Sequence, residues 1–115
     1  MSEWPKRGEI YWVDWNPRRG SEQGGLRPAL AIQNNVGNQY SPTTIVAAIT
    51  TAAEKAYPFM VRIPALESGL PRDSMVNLAA ILTIDQTRLG DKCGELSPAK
   101  MAEVEEAIKT SLALR

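Results

Sequence analysis

Histidine is missing from all 115 residues, and that absence removes whole classes of active site. No Ser-His-Asp triad, Cys-His pair or histidine-ligated zinc can be assembled. Cysteine occurs once, as Cys93, so an internal disulfide is excluded and soft metals lose their usual ligands. With no second residue to activate it, Cys93 reads as an inert thiol. Net charge is also missing: 13 basic residues balance 13 acidic ones, which argues against the broad basic footprint of a non-specific nucleic-acid binder. Whatever the protein binds, it binds locally, in a groove. No apolar run approaches the roughly 18–20 residues of a membrane helix, and the first residues, M-S-E-W-P-K-R-G, contain no apolar segment of signal-peptide length. These features predict a cytoplasmic protein with no membrane association.

What is present fits one compact domain over 1–115. Charged residues make up 23% and the hydrophobic class 43%, ordinary globular values that do not suggest disorder. The first two-thirds reads as strands: Glu9–Trp15, Ala29–Gln33, Thr44–Thr51, Phe59–Ile63, Ser74–Leu78 and Ala80–Ile84. They are short, rich in β-branched and aromatic residues, and separated by Gly, Asn and Pro. The stretch N-N-V-G-N-Q-Y-S-P reads as a loop, and a short turn of helix is expected within 64–69. Near the C-terminus, Ser97 can N-cap a helix with Pro98 in its first turn. Met101, Val104, Ile108 and Leu112 then recur at three- or four-residue steps and mark one apolar stripe. The fold class expected is mainly β with a C-terminal helix, a small closed or half-open barrel.

The chemistry concentrates in G-S-E-Q-G-G-L-R-P at 20–28. A hairpin connection needs about two to five residues, and this one is longer. Gly20, Gly24 and Gly25 let backbone N–H groups approach an anion. Ser21, Glu22 and Gln23 supply donors and acceptors of the kind that read nucleobase edges. Arg27 precedes Pro28, which favours extended backbone, so its guanidinium belongs at the start of a strand. Thr50-Thr51 ends another strand. If the two strands are antiparallel neighbours, Arg27 and Thr50 face one spot, and a planar donor with a hydroxyl makes a cradle for a phosphodiester. From composition and spacing alone, a solvated loop, a surface arginine and an ordinary strand-end threonine remain open readings.

The order of G-S-E-Q-G-G-L-R-P, A-L-A-I-Q-N-N and S-P-T-T-I-V-A-A-I-T resembles the MazF/PemK toxin family. L-P-R-D-S at 70–74, T-I-D at 83–85, R-L at 88–89 and the closing S-L-A-L extend the likeness over about residues 6–114. The resemblance implies a homodimer on a small SH3-like barrel of the plasmid-maintenance-toxin type. It implies a sequence-specific, metal-independent endoribonuclease that cuts single-stranded RNA without a cofactor and is held inactive by a cognate MazE-like antitoxin. Its catalytic residues fall on Arg27 and Thr50. Such cleavage uses the substrate's 2′-OH and leaves a 2′,3′-cyclic phosphate and a 5′-OH. Arginine is a poor base, with a pKa above about 12, so Arg27 is expected to stabilise charge on the phosphorane oxygens while Thr50 positions the phosphate.

The sequence departs from the family in one place. Ala79, Ala80 and Leu82 stand where many members carry an acidic residue, a glutamine and an arginine, so the acidic group that takes part in chemistry in the PemK-type branch has no counterpart. Asn77 is expected to take up some base reading. The RNA-binding set is then Trp15, Ser21, Glu22, Gln23, Gly24, Gly25 and Asn77. Of the aromatics, Trp15 at the loop entrance is the stacking candidate, while Trp4, Tyr11 and Trp12 read as core or dimer contacts. Glu103, Glu105 and Glu106 read as a solvated helix face, and no metal is expected. Two other readings compete: a non-catalytic toxin of the same barrel that poisons DNA gyrase, and an SH3-like adaptor with an aromatic peptide groove.

Overall fold

A computed structural model describes residues 4–15 and 26–115. Among these the chain forms β1 (Glu9–Asp14), β2 (Leu26–Ala31), α1 (Asn35–Tyr40), β3 (Thr43–Thr51), β4 (Met60–Ile63), α2 (Ala65–Ser68), β5 (Ser74–Asp85), a 3₁₀ turn (Gln86–Arg88), β6 (Leu89–Glu95) and α3 (Pro98–Leu112). The strands make one antiparallel sheet in the order β4-β5-β3-β2-β1-β6. Its edges, β4 and β6, do not pair with each other among the described residues, so the barrel is half-open.

Alternation along the strands divides the sheet into two faces. Ile10, Leu30 and Ala47 lie in one cross-strand row, and Ile49, Val76 and Val61 in another. Both rows join the main core with Ile63, Leu78 and the α3 residues Met101, Val104 and Ala107. Helix α3 begins as its sequence dictates, with the Ser97 side chain accepting from the Lys100 N–H at 3.1 Å and Pro98 in its first turn. Its buried stripe is Met101, Val104 and Ala107, with Ile108 half-buried. Leu112 is 54% exposed, because the chain leaves the helix at Ala113 in a left-handed cap. The opposite face carries a smaller cluster of Val13, Ala29 and Val46, packed with Tyr11, Trp15, Ile84 and Leu89.

Three elements differ from the sequence expectation. The two strands expected over 74–84 are one long strand, β5, broken in register: Ala47 pairs with Ile81 but Ala48 with Asn77, so one step on β3 spans four on β5. Such a break bends the strand and strengthens its twist, and the Ser111 hydroxyl of α3 bonds the Leu78 carbonyl at the bend, at 2.7 Å. The N-N-V-G-N-Q-Y stretch, expected as a loop, contains α1, which tertiary hydrogen bonds hold in place of helix propensity. Asn34 caps it by accepting from the Gly37 N–H. Asn38, fully buried, donates to the Gln33 carbonyl and accepts from Thr44 Oγ1 and Gln33 Nε2. Strand β6 (L-G-D-K-C-G-E) was not expected at all. It passes so close to α2 that a Cβ on Gly94 would overlap the Ser68 carbonyl, and one on Gly69, which caps α2 at φ 78°, the Cys93 carbonyl.

Candidate functional site

The ladder between β2 and β3 ends two residues short of Arg27 and Thr50. Ala29 pairs with Ala48, Leu30 with Ala47 and Ala31 with Val46. Continued two residues beyond Ala29–Ala48, the same register sets Arg27 opposite Thr50. Directly opposed residues have Cβ atoms about 5 Å apart and share a face. Arg27 is also opposite Val13 on β1, and Thr50 opposite Met75 on β5. Paired residues thus run Leu89, Val13, Arg27 across β6, β1 and β2, and Thr50, Met75, Arg62 across β3, β5 and β4; continuing the β2/β3 register joins the two runs into one row. Both Arg27 and Thr50 are exposed, and among the described residues no carboxylate pairs with Arg27. A guanidinium and a hydroxyl brought side by side by that continued register would suit an anion with several oxygens.

Trp15 follows β1 on this face, half-buried against the Val13 cluster. Part of its ring area is thus spent on packing and part remains accessible. Ser21, Glu22, Gln23, Gly24 and Gly25 lie outside the described residues. Arg88 donates from Nη1 to the Asp14 carbonyl at 2.9 Å, securing the last residue of β1. Asn77 sits in the next row, which runs Tyr11, Ala29, Ala48, Asn77, Met60. Its Oδ1 accepts from the Ala79 N–H at 2.9 Å. Ala79, Ala80 and Leu82 occupy the bend of β5 and the strand beyond it, with Leu82 45% exposed.

The sequence reading did not single out Arg62. Its guanidinium donates from Nη2 to the carbonyls of Ala53 and Glu54, at 2.7 and 2.8 Å. It thereby ties the segment leaving Thr50-Thr51 back over the same face, beside Met75, which is 2% exposed. The alternation in F-M-V-R-I already put Arg62 opposite the core face; only the strand order β4-β5-β3 adds that this face carries Thr50.

At the other flank of the site, Tyr11 donates to Glu9 Oε1 at 2.5 Å, the Lys6 N–H donates to the same oxygen, and Lys92 reaches Glu9 Oε2 and Glu95 Oε1 at 3.0 and 2.9 Å. Burial opposes ionisation of Glu9, but these hydrogen bonds outweigh it and hold its carboxyl below the usual range. Burial, reinforced by the Glu9 charge, pushes the Tyr11 phenol upward, so Tyr11 stays a neutral donor. Burial also raises the Cys93 thiol, consistent with an unreactive side chain. Asp85 accepts from both the N–H and the hydroxyl of Thr87, which lowers its carboxyl; it caps the 3₁₀ turn. The helix acids are engaged with cations: Glu103 with Lys100, Glu105 with Arg7 and Glu106 with Lys109.

Comparison with known proteins gives this geometry a family. Residues 6–112 match the model of the PemK-like, MazF-like toxin of type II toxin-antitoxin systems. The chain is 52% identical over 110 residues to the endoribonuclease EndoA of Bacillus subtilis (strain 168), covering 95% of each protein. It is 48% identical over 110 residues to the endoribonuclease MazF of Staphylococcus epidermidis, covering 95% of this chain and 92% of that one. Among solved structures, an endoribonuclease in complex with its cognate antitoxin from Mycobacterial species superposes with a TM-score of 0.81 at 29% identity, over 96% of this chain and 97% of the other. A MazE-MazF structure from Deinococcus radiodurans gives 0.80 at 27% identity with the same coverage. The half-open sheet with its C-terminal helix is therefore the fold of these toxins, and this chain belongs to the PemK/MazF family of type II toxin-antitoxin systems.

Proposed function

We propose that the protein is an endoribonuclease toxin that cleaves single-stranded RNA at a short sequence, with Arg27 and Thr50 as its catalytic residues. What supports this reading is the β2/β3 register, which, continued two residues beyond Ala29–Ala48, would bring Arg27 opposite Thr50, together with the endoribonuclease names of relatives at about half identity. In the proposed step the 2′-oxygen of the substrate bonds to phosphorus and the P–O5′ bond breaks. The proton lost at O2′ is matched by one gained at O5′, and the products are a 2′,3′-cyclic phosphate and a 5′-OH. Negative charge builds on the non-bridging oxygens of the phosphorane. A permanently charged, planar donor held at a strand start stabilises that charge more than it stabilises the ground state, the condition for catalysis. Thr50 donates to the same phosphate and fixes its orientation.

Base recognition falls to groups around that phosphate: Trp15 for stacking, Ser21, Glu22, Gln23, Gly24 and Gly25 along the connecting segment, and Asn77. A MazE-like antitoxin is the proposed inhibitor, as the MazE-MazF structure among the relatives suggests; an acidic or apolar tail laid over Arg27 would take the phosphate's place. The active species is proposed to be a cytoplasmic homodimer that works without a cofactor.

The test uses purified, antitoxin-free protein and a long single-stranded RNA in EDTA, with fragment ends mapped and a 2′-O-methyl RNA alongside. Cuts at one short word with cyclic phosphate ends, absent from the methylated RNA, are expected. Cleavage that appears only when Mg²⁺ is supplied overturns the mechanism. Silence under both conditions overturns the enzyme reading in favour of a binding toxin.

A further inference from the structure

Taking that ribonuclease reading as its basis, we propose that Asn77 determines specificity by presenting a single hydrogen-bond donor to a keto oxygen of a substrate base. The register break in β5 leaves Leu78, Ala79 and Ala80 without partners on β3, so the backbone N–H of Ala79 needs another acceptor. Asn77 Oδ1 provides it at 2.9 Å, an Asx turn that closes the start of the bend. An N–H can only donate, so the atom facing Ala79 must be the amide oxygen. The orientation of the amide is thus fixed by chemistry, and Nδ2 is the end left to turn outward.

Asn77 is half-buried, and among the described residues nothing accepts from Nδ2. It is opposite Ala48 on β3, two residues before Thr50 on the same face. Two residues of rise and one strand spacing put it about 8 Å from Thr50. A nucleotide whose phosphate rests at Arg27 and Thr50 holds its own base, or its neighbour's, within that reach. A free asparagine reads adenine with both ends of its amide. Here the oxygen is committed to Ala79, so the paired pattern is weakened and one donor remains, which suits the carbonyl of uracil or guanine. The neighbouring Ala79 and Ala80 have no polar side-chain atoms to compete for that edge.

Asn77→Asp isolates the effect. It keeps an oxygen for the Ala79 N–H and exchanges the outward donor for an acceptor, which favours the amino groups of cytosine or adenine. Asn77→Ala removes the side-chain polarity altogether. The experiment maps cleavage of a randomised single-stranded RNA pool by wild type and both variants, with thermal unfolding recorded for each. The expected result is a keto preference at one word position in the wild type. That preference is relaxed roughly tenfold to a hundredfold in Asn77→Ala, as expected for the loss of one hydrogen bond to a base, and moves toward amino bases in Asn77→Asp. The other positions of the word hold. If the Asp variant folds but does not cut, relaxation at a single position in the Ala variant still sustains the assignment. Identical words and base preferences in the wild type and in every cutting variant overturn it. Absence of cleavage by the wild type is a different failure, that of the ribonuclease reading itself.

Discussion

If Arg27 and Thr50 act on one phosphate, as proposed, the effects of substituting them are coupled by a predictable amount. The substitutions are Arg27→Ala, Thr50→Val (which keeps the branched shape and removes the hydroxyl) and the pair together. The continued register puts the two Cβ atoms about 5 Å apart, so one phosphate can touch both side chains. Loss of a preorganised charge-stabilising donor costs about 2.7–4 kcal/mol, a factor of roughly 10²–10³ in rate. Loss of the threonine donor to a charged oxygen costs about 1.5–3 kcal/mol. If both donors act on one phosphate, removing the first misplaces it and lessens what the second can contribute. The double variant then loses less than the two single losses combined, by about 0.5–3 kcal/mol, the usual range for groups sharing a partner. Single-turnover cleavage of an oligonucleotide containing the mapped word measures all three rates. Thermal unfolding checks that the exposed positions 27 and 50 leave stability nearly unchanged. Additivity within about 0.3–0.5 kcal/mol would mean two independent sites and would refute the shared phosphate. A near-wild-type rate for Arg27→Ala would refute its catalytic role altogether.

Asn38→Ala leaves the buried Thr44 hydroxyl and the Gln33 carbonyl without their partner. It should cost about 2–4 kcal/mol, read as a fall in Tm of order 10 °C. Cleavage at 25 °C should persist, because Thr44 lies six residues of β3, about 20 Å, from Thr50. The Glu9–Tyr11–Lys92 network makes stability depend on pH at both ends. Glu9 titrates lower in the fold than in the unfolded chain, so its contribution is full above about pH 4.3 and is lost as pH falls through its depressed value. Tyr11 titrates higher in the fold, so stability declines once pH rises past about 10, where the unfolded chain ionises first. Denaturant titrations of the wild type and Tyr11→Phe across pH 3–11 check both limbs; the alkaline limb should flatten in the variant.

How far the sequence reveals the fold depends on what holds each element. Strands β1 to β4 and helix α3 carry their own signals, alternation in E-I-Y-W-V-D and T-I-V-A-A-I-T-T, a Ser97 cap and a three-to-four-residue stripe, and they form where expected within a few residues. Helix α1 does not, since Asn34, Asn35, Gly37 and Asn38 have little helical preference of their own. Besides the Asn34 cap and the buried Asn38 bonds, it is held by Gln86, whose Nε2 lies 2.8 to 3.0 Å from the carbonyls of Asn38, Ser41 and Thr43. A partner 48 residues away in sequence leaves no local trace. Strand β6 is hidden for the opposite reason: Gly94 is there because α2 crosses it too closely for a side chain, and glycine in isolation reads as a strand breaker. β3 runs to Thr51 as expected, so of the proposed site the strand-end position of Thr50 was legible in the sequence. Its flank was not. Arg62 belongs to the Thr50 row only because β5 lies between β4 and β3.

The β2/β3 register that, continued, would align Arg27 with Thr50 is also the register that buries the core. Leu30 and Ala47, paired and both fully buried, sit on the opposite face from Arg27. A one-residue slip of β2 would turn Arg27 into that core and expose Leu30, an exchange the hydrophobic term forbids. A two-residue slip would keep the faces but remove Ala29 from its place beside Val13 and Val46, where its small side chain lets the second cluster close. Placement of the candidate catalytic pair is therefore enforced by apolar residues that never touch a substrate. Asn77, the proposed base reader, stands where the ladder is interrupted, and an interruption can change side chain without moving the row. On the proposed assignment, the same sheet holds Arg27 and Thr50 in register while the side chains at the bend of β5 vary independently, which would separate the chemistry of cleavage from the choice of where to cut.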